Sequence, residues 1–299
     1  MDGFSITEEV RNGYNITEKQ KKIWAIELDL FQELLRVCKK HDIKVFAYAG
    51  TILGAVRHKG FIPWDDDMDA CLERKEYEKL LAVAPYEFKD PYFFQTDETD
   101  KKYFTGFSRL RNSNTTGIIT GMEDIDYNNG IYIDVFVLDD MPENKFKRTL
   151  QLDARAIVFK LVNLYYNDDL QGIKKVIKSI LVNMVKRGSL VKLYNKLLQI
   201  SKDSNKVTLM THSKAYCKRY WCYKEDLKEQ IMLPFENIMI PVPQNYERML
   251  ENFYGDYMKF PPVEERGEWH EGIITFDPDT PYKEFIRKKQ KDESKDDIK

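Results

Sequence analysis

Ala49-Gly50-Thr51-Ile52-Leu53-Gly54-Ala55-Val56-Arg57-His58-Lys59-Gly60-Phe61-Ile62-Pro63-Trp64-Asp65-Asp66-Asp67-Met68-Asp69 is the stretch on which the reading of this chain turns. Lys44 to Ala49 is short, β-branched and aromatic, which predicts a strand. Gly50-Thr51 then turns into a short helix through Leu53, Ala55 and Val56, ended by Gly60. A glycine at such a turn lets backbone approach a phosphate, and a helix start offers N–H groups and a partial positive charge. Arg57, His58 and Lys59 follow as compact donors suited to phosphate oxygens. After the Phe61–Trp64 loop, acid and apolar residues alternate from Asp67 to Leu72. In a strand, Asp67 and Asp69 share a face while Met68 and Ala70 point to the core. Two carboxylates so close raise each other's pKa, and a divalent cation with oxygen preference, Mg²⁺ or Mn²⁺, relieves that. Asp65 and Asp66 read as a solvated acidic loop, with Asp65 and Asp67 as the alternative facing pair.

Outward from this block, Thr17 with Gln20 reads as a capping box opening a helix whose face is Ile23, Ile26, Leu30, Leu34 and Val37. Residues 1–16 are polar and expected to be irregular. A helix is expected over 75–83 and strands near Tyr92–Gln95 and Thr105–Arg111. Ile131-Tyr132-Ile133-Asp134-Val135-Phe136-Val137 is a strong strand with a single acid, which is costly to bury without a partner such as a metal or an arginine. Arg109 and Arg111 fall on a predicted strand, and Arg111 joins the expected substrate contacts; exposed surface arginines are the alternative. From Glu143 to Ser201 the pattern is helical. Two short strands are expected around Pro234, then a helix over 243–254.

The fold class read from this order is α+β: a small mixed sheet flanked by helices, with a mainly helical second half. Residues 17–142 are expected to form the catalytic core, 143–287 a donor- and acceptor-binding region, and 288–299 a charged, disordered tail.

The chain of 299 residues has a formal net charge of −2, so composition points to no nucleic-acid partner. The segment 145–202 differs, with 13 Lys or Arg against three Asp, a local surplus of ten positive charges. Its apolar runs between lysines suggest a basic amphipathic helix touching an anionic membrane surface, with an ordinary bundle helix as the alternative. No stretch reaches the ~18 apolar residues of a spanning helix, and the N-terminus lacks a basic segment followed by an apolar run. A cytoplasmic protein, peripheral on the inner face of the membrane, is expected. The cysteines Cys38, Cys71, Cys217 and Cys222 read as buried reduced thiols, and His212, Cys217 and Cys222 match no common zinc spacing.

The quoted block closely resembles the signature of the LicD family, within the nucleotidyltransferase-fold superfamily. The likeness continues at Tyr132-Ile133-Asp134-Val135-Phe136, at Phe253-Tyr254-Gly255-Asp256-Tyr257-Met258 and at Pro261-Pro262. Cys71 departs from the family's larger aliphatic residue, a packing change. The resemblance implies a nucleotidyltransferase-like core and transfer of a phospho-alcohol from a cytidine-linked donor such as CDP-choline to a sugar hydroxyl of a surface glycan, lipid-linked glycan or teichoic acid precursor. It places Asp67, Asp69 and Asp134 as metal ligands and catalytic acids, and Gly50 and Thr51 at the phosphate. Arg57, His58, Lys59, Trp64, Arg111, Arg266 and His270 complete the expected substrate contacts. Tyr254, Tyr257, Trp269 and Trp64 are a possible aromatic box for a quaternary ammonium, with ordinary core aromatics as the alternative. Transfer of another phospho-alcohol or a phosphonate, nucleotidyl transfer from an NTP, and a non-catalytic nucleotide-binding protein are the competing readings.

Overall fold

The computed structural model describes residues 3–120, 122, 125, 127–165, 171–202, 204–266 and 274–288, without the side chains of Lys174 and Glu265. In chain order the elements are β1 (Glu9–Arg11), β2 (Tyr14–Ile16), α1 (Glu18–Lys40), β3 (Phe46–Ala47), α2 (Ala49–Arg57), β4 (Asp69–Glu73), α3 (Arg74–Glu87), β5 (Tyr92–Gln95), β6 (Ser108–Asn112), β7 (Thr116–Ile119) and β8 (Ile131–Asp140). They continue with α4 (Lys145–Leu164), α5 (Gly172–Met184), α6 (Arg187–Leu198), β9 (Lys206–Thr208), α7 (Lys214–Arg219), β10 (Trp221–Tyr223), β11 (Gln230–Phe235), β12 (Ile238–Pro243), α8 (Tyr246–Tyr254) and β13 (Ile274–Asp277).

The main sheet is mixed, as expected. β4 lies between β3, antiparallel, and β8, parallel. β6 pairs with the other edge of β8 over its first half and carries β5, while β9 and β10 extend from its last residues. Alternation along these strands sorts their side chains. Ala70, Leu72, Leu110, Ile133, Val135 and Val137 are buried in the main core. Asp69, Asp134 and Arg109 take the other positions of the alternation, in register across the three strands.

α1 begins as expected. Thr17 is extended, and its Oγ1 accepts the Gln20 N–H at 3.2 Å. The return half of a capping box is replaced by a tertiary contact: Gln20 Nε2 donates to the Pro63 carbonyl at 3.1 Å. One turn on, Trp24 stacks on Phe61, centroids 4.5 Å apart, and its Nε1 donates to the Asp65 carbonyl. The first two turns of α1 thus fix the loop that carries the acids.

Several local expectations change. The first strand shrinks to β3, because Tyr48 N–H bonds to the Asp69 carbonyl and Thr51 N–H already turns back to the Tyr48 carbonyl. Gly50 and Thr51 therefore sit inside the first turn of α2, behind Ala49, which adopts a left-handed φ of 43°. Such backbone is costly for a residue with a Cβ and persists where its surroundings over-determine it. Pairing with β8 starts at Met68, whose carbonyl accepts the Asp134 N–H at 3.2 Å, so β4 begins at Asp69 and Asp67 lies in the loop before it. Residues 9–16 are not irregular: Asn12-Gly13, both at positive φ, close the hairpin β1–β2, a turn signal that Asn-Gly carries. Within the expected helical run the described residues form three helices, α4, α5 and α6, and the chain then returns to strands; β11 and β12 form a hairpin turning at Glu236, with Pro234 inside β11. The tail after residue 288 lies outside the described residues.

One main core runs from Ile16 to Phe253, and a second lies among α4, α6 and Tyr194. Gly54 shows how tightly α2 is seated: a Cβ there would stand 2.5 Å from the Gly60 carbonyl oxygen and 3.2 Å from Phe235. Replacing Gly54 with Ala should lower unfolding free energy by about 1–3 kcal/mol in a denaturant titration, the range for an overpacked core; an unchanged midpoint would mean that the α2–Gly60 turn relaxes freely.

Candidate active site

The register of β4, β8 and β6 places Asp69 opposite Asp134 and Asp134 opposite Arg109. Arg109 Nε donates to Asp134 Oδ1 at 2.7 Å, and the guanidinium lies 3.9 Å from the Tyr132 ring centroid. Burial works against the charged guanidinium, but Asp134, Tyr132 and Tyr103 outweigh it, so Arg109 is held more firmly protonated than usual. Asp69 is in the opposite situation. Burial, followed by the charges of Asp67, Asp134 and Asp65, pushes its carboxyl well above the ordinary range, and Arg109 offsets only part of this. Its N–H is held by Thr51 Oγ1 at 2.8 Å, which ties the buried start of α2 to the start of β4.

Ahead of Asp69, the loop folds Asp65, Asp66 and Asp67 so that one carboxylate oxygen from each lies within 4.8 Å of the others. The solvated acidic loop expected at Asp65 and Asp66 is thereby corrected: Asp66 is only 3% exposed, because the Trp24 and Gln20 contacts draw the loop inward. Asp65 reaches Gly50, where a Cβ would come within 2.9 Å of its Oδ2. A glycine here leaves room for the Asp65 carboxylate beside the helix start.

Glu27 of α1 meets the same cluster from below. It is buried, its Oε2 has no hydrogen-bond partner, and burial followed by the charges of Asp67, Asp66, Asp65 and Asp69 raises its carboxyl well above the usual range. Neither Glu27 nor the Arg109–Asp134 pair entered the expected set. Glu27 stands on the apolar side of an amphipathic helix at Ile23-Trp24-Ile26-Glu27-Leu30, and an acid on that side was the available signal.

The rim gathers four of the expected substrate contacts. Arg57 and Arg266 both lie over Trp64 and Phe260, with Arg57 5.1 Å from the Phe260 centroid and Arg266 4.7 Å from that of Trp64. Burial and the Arg266 charge lower the Arg57 pKa, against pulls from Tyr254 and Asp65. Arg57 Nη1 also donates to the Tyr257 carbonyl at 3.0 Å, holding the Tyr254–Phe260 segment to α2. Its Nε donates to His58 Nε2 at 2.9 Å, so the imidazole proton is on Nδ1, facing Asn12 Oδ1 at 3.1 Å. His58 is thus a neutral wedge between Trp64 and Phe260.

The remaining expected contacts fall elsewhere. Arg111 is fully buried, bonded to Gln95 Oε1 and the Gly130 carbonyl, each at 2.6 Å, with burial and Arg109 pushing its pKa down to about 10. Lys59 is exposed at a positive-φ turn, its carbonyl accepting the Glu236 N–H. His270 and Trp269 lie outside the described residues. Around the acids stand Tyr216 and Tyr254, both within electrostatic reach of Asp69, and His212, within reach of Asp134 and stacked on Phe107. All four cysteines are free and buried.

The donor set is entirely carboxylate oxygen, the chemistry that Mg²⁺ and Mn²⁺ prefer. Asp69 forced toward its neutral form and an orphaned buried Glu27 oxygen both mark a place short of positive charge.

Residues 42–166 match the LicD/FKTN/FKRP nucleotidyltransferase domain. The chain is 28% identical over 250 residues to the lipopolysaccharide cholinephosphotransferase LicD of Haemophilus influenzae, which spans 81% of this chain and 91% of that protein. Shorter likenesses join it to uncharacterized proteins of Rickettsia prowazekii, 33% over 82 residues, and Rickettsia typhi, 44% over 73 residues; these span 27% and 24% of this chain and 29% and 22% of theirs.

His58 and His212 give the site a pH signature. Burial, with Arg57 and Arg11, holds His58 at about 4; burial, opposed by Asp134 and reinforced by Arg155, holds His212 at about 4. An unfolded histidine titrates near ~6.5, so between that value and about 4 the unfolded chain binds more protons and stability falls as pH falls. Asp69 and Glu27, held above their ordinary range, act with the opposite sign, so the histidine part is read by difference. As pH falls through this window, the urea midpoint of the parent should fall more, or rise less, than that of a His58→Asn/His212→Gln double variant; equal slopes would assign the pH dependence to other groups.

Proposed function

We propose that this chain, which belongs to the LicD family, is a metal-dependent transferase that moves a phosphocholine-like phospho-alcohol from a cytidine-linked donor to a sugar hydroxyl of a surface glycan or glycan precursor, releasing CMP. The observation that carries the reading is the convergence of Asp65, Asp66, Asp67, Asp69 and Asp134 where the start of β4 pairs with β8, within the matched domain. The Haemophilus relative, named as a lipopolysaccharide cholinephosphotransferase, supports the phosphocholine group and a glycan acceptor.

Asp67, Asp69 and Asp134 would hold Mg²⁺ or Mn²⁺, with Asp65 and Asp66 beside them. When bound, such a cation neutralises diphosphate oxygens and the charge that develops in phosphoryl transfer. The protein's own part is mainly positioning. Arg109 fixes Asp134 at one oxygen. Arg57 and Arg266, two like charges held together over Trp64 and Phe260, form a cradle for donor phosphate. Tyr254, beside Asp69, is the ring assigned to a quaternary ammonium, since Tyr216 is already packed against Tyr220 and His212. The acceptor oxygen forms its bond to the phosphorus that bears the alcohol, the bond from that phosphorus to CMP breaks, and the hydroxyl proton passes to a carboxylate of the Asp69–Asp134 pair.

Incubated with Mg²⁺ and a panel of CDP-choline, CDP-ethanolamine, CDP-glycerol, CDP-ribitol and CMP-phosphonates, the protein should release CMP from one donor. Asp67→Asn and Asp69→Asn should each lower that rate by more than about 100-fold, the upper end for loss of a residue supporting a metal, with circular dichroism unchanged. Full activity in either variant would remove the acids from the reaction. Turnover of UTP or ATP in place of every cytidine-linked alcohol would favour nucleotidyl transfer.

A further inference from the structure

Helix α5 buries none of its described side chains, yet it is among the most apolar segments of the chain. Ile173, Val176, Ile177, Ile180 and Met184 are 76, 57, 43, 54 and 77% exposed. Their spacing of three, four, seven and eleven residues puts them in one stripe along the helix. That stripe is not the side that meets the protein. Leu181 and Val185 pack against the second core, and the Tyr165 hydroxyl donates to the Leu181 carbonyl at 3.4 Å. The helix is therefore anchored along one edge with an apolar ridge turned outward. Isolated exposed apolar residues are ordinary, but a continuous ridge of five marks a contact surface.

The charge around the ridge decides what kind of surface it meets. From Gln171 to Lys202 the chain has eight Lys or Arg and no Asp or Glu, although the whole chain has a net charge of −2. Lys175 and Lys186 are exposed, Lys175 on the side of α5 away from the ridge and Lys186 just past the helix end. Two copies docked ridge to ridge would bring two such basic segments together. A bilayer rich in anionic lipid complements both features at once: acyl chains take the ridge, and the negative surface potential, which reaches about a Debye length, attracts the basic segment across the width of one helix. Among the described residues no helix is long and apolar enough to cross a membrane, so the contact lies in the interface plane. We propose that α5 docks this protein on an anionic lipid surface, with Ile173, Val176, Ile177, Ile180 and Met184 inserted at the headgroup boundary.

The test is co-sedimentation of the full chain with vesicles of phosphatidylcholine alone or mixed with phosphatidylglycerol. Binding is expected only with the anionic lipid, and it should weaken as salt is raised. Ile173→Asp/Ile180→Asp should reduce the bound fraction at least about tenfold. Lys175→Gln/Lys186→Gln should lower it several-fold, since a basic residue at an anionic leaflet is worth up to roughly a fivefold factor and less at the far side of the helix. Both pairs are exposed, so thermal midpoint and CMP release should match the parent protein. No binding, or equal binding to neutral vesicles, would overturn the proposal. So would a concentration-dependent dimer abolished by Ile173→Asp/Ile180→Asp, which would assign the ridge to a second copy.

Discussion

Repulsion among Glu27, Asp65, Asp66, Asp67, Asp69 and Asp134 is the constraint around which this structure is arranged. Like charges at such range, partly out of water, oppose folding unless something rigid holds them or something positive joins them. The rigid part is visible. Met68, Ala70, Ile133 and Val135 are completely buried and hold β4 and β8 against each other. The strand register then leaves Asp69 and Asp134 no choice of position. Apolar packing on the alternating positions is what keeps the acids together on theirs.

α1 supplies the second restraint. Gln20 and Trp24 bond to the carbonyls of Pro63 and Asp65, and Trp24 stacks on Phe61, so the loop before β4 is held by side chains one turn apart. Arg11 reaches Glu236 in an ion pair, and Glu236 in turn accepts the Phe61 N–H, so the β1–β2 hairpin and the β11–β12 hairpin brace the same loop from outside. The N-terminal hairpin and the distant 230–243 segment therefore bear on the geometry of the acids without touching them.

Much of this was legible in sequence because local rules and tertiary demands agree. Asp69, Asp134 and the mixed sheet follow from acids punctuating apolar strands, and α1 from its cap and period. The misreadings came where tertiary contacts overrode local pattern. Alternation suggested a strand from Asp67, but pairing with β8 begins only at Met68. Asp65 and Asp66 looked solvated because nothing local shows that Trp24 and Gln20 pull their loop inward. Arg111 looked like a substrate contact, yet Gln95 and Gly130 occupy it inside the sheet, while Arg109, two residues away, takes the acid. Two arginines on one strand face are equivalent by period; only the partner strand tells them apart. Asn12-Gly13 was readable, and the polarity of its surroundings masked the hairpin.

Asp65 is where the two charge imbalances of the site meet. It adds to the repulsion that raises Asp69, and it also attracts Arg57, which is itself lowered by burial and by Arg266. On one side of this residue stand acids short of positive charge; on the other stand guanidiniums short of negative charge. A cation alone would relieve only the first, and a phosphate alone only the second. Under the proposed function a metal–diphosphate donor relieves both, so cation and donor should assist each other's binding rather than bind independently. Arg109 stands apart from this exchange. Bonded to one oxygen of Asp134 and over the Tyr132 ring within the sheet, it is a fixed part of the scaffold, and it leaves the other oxygen of Asp134, with Asp67 and Asp69, to be answered from outside.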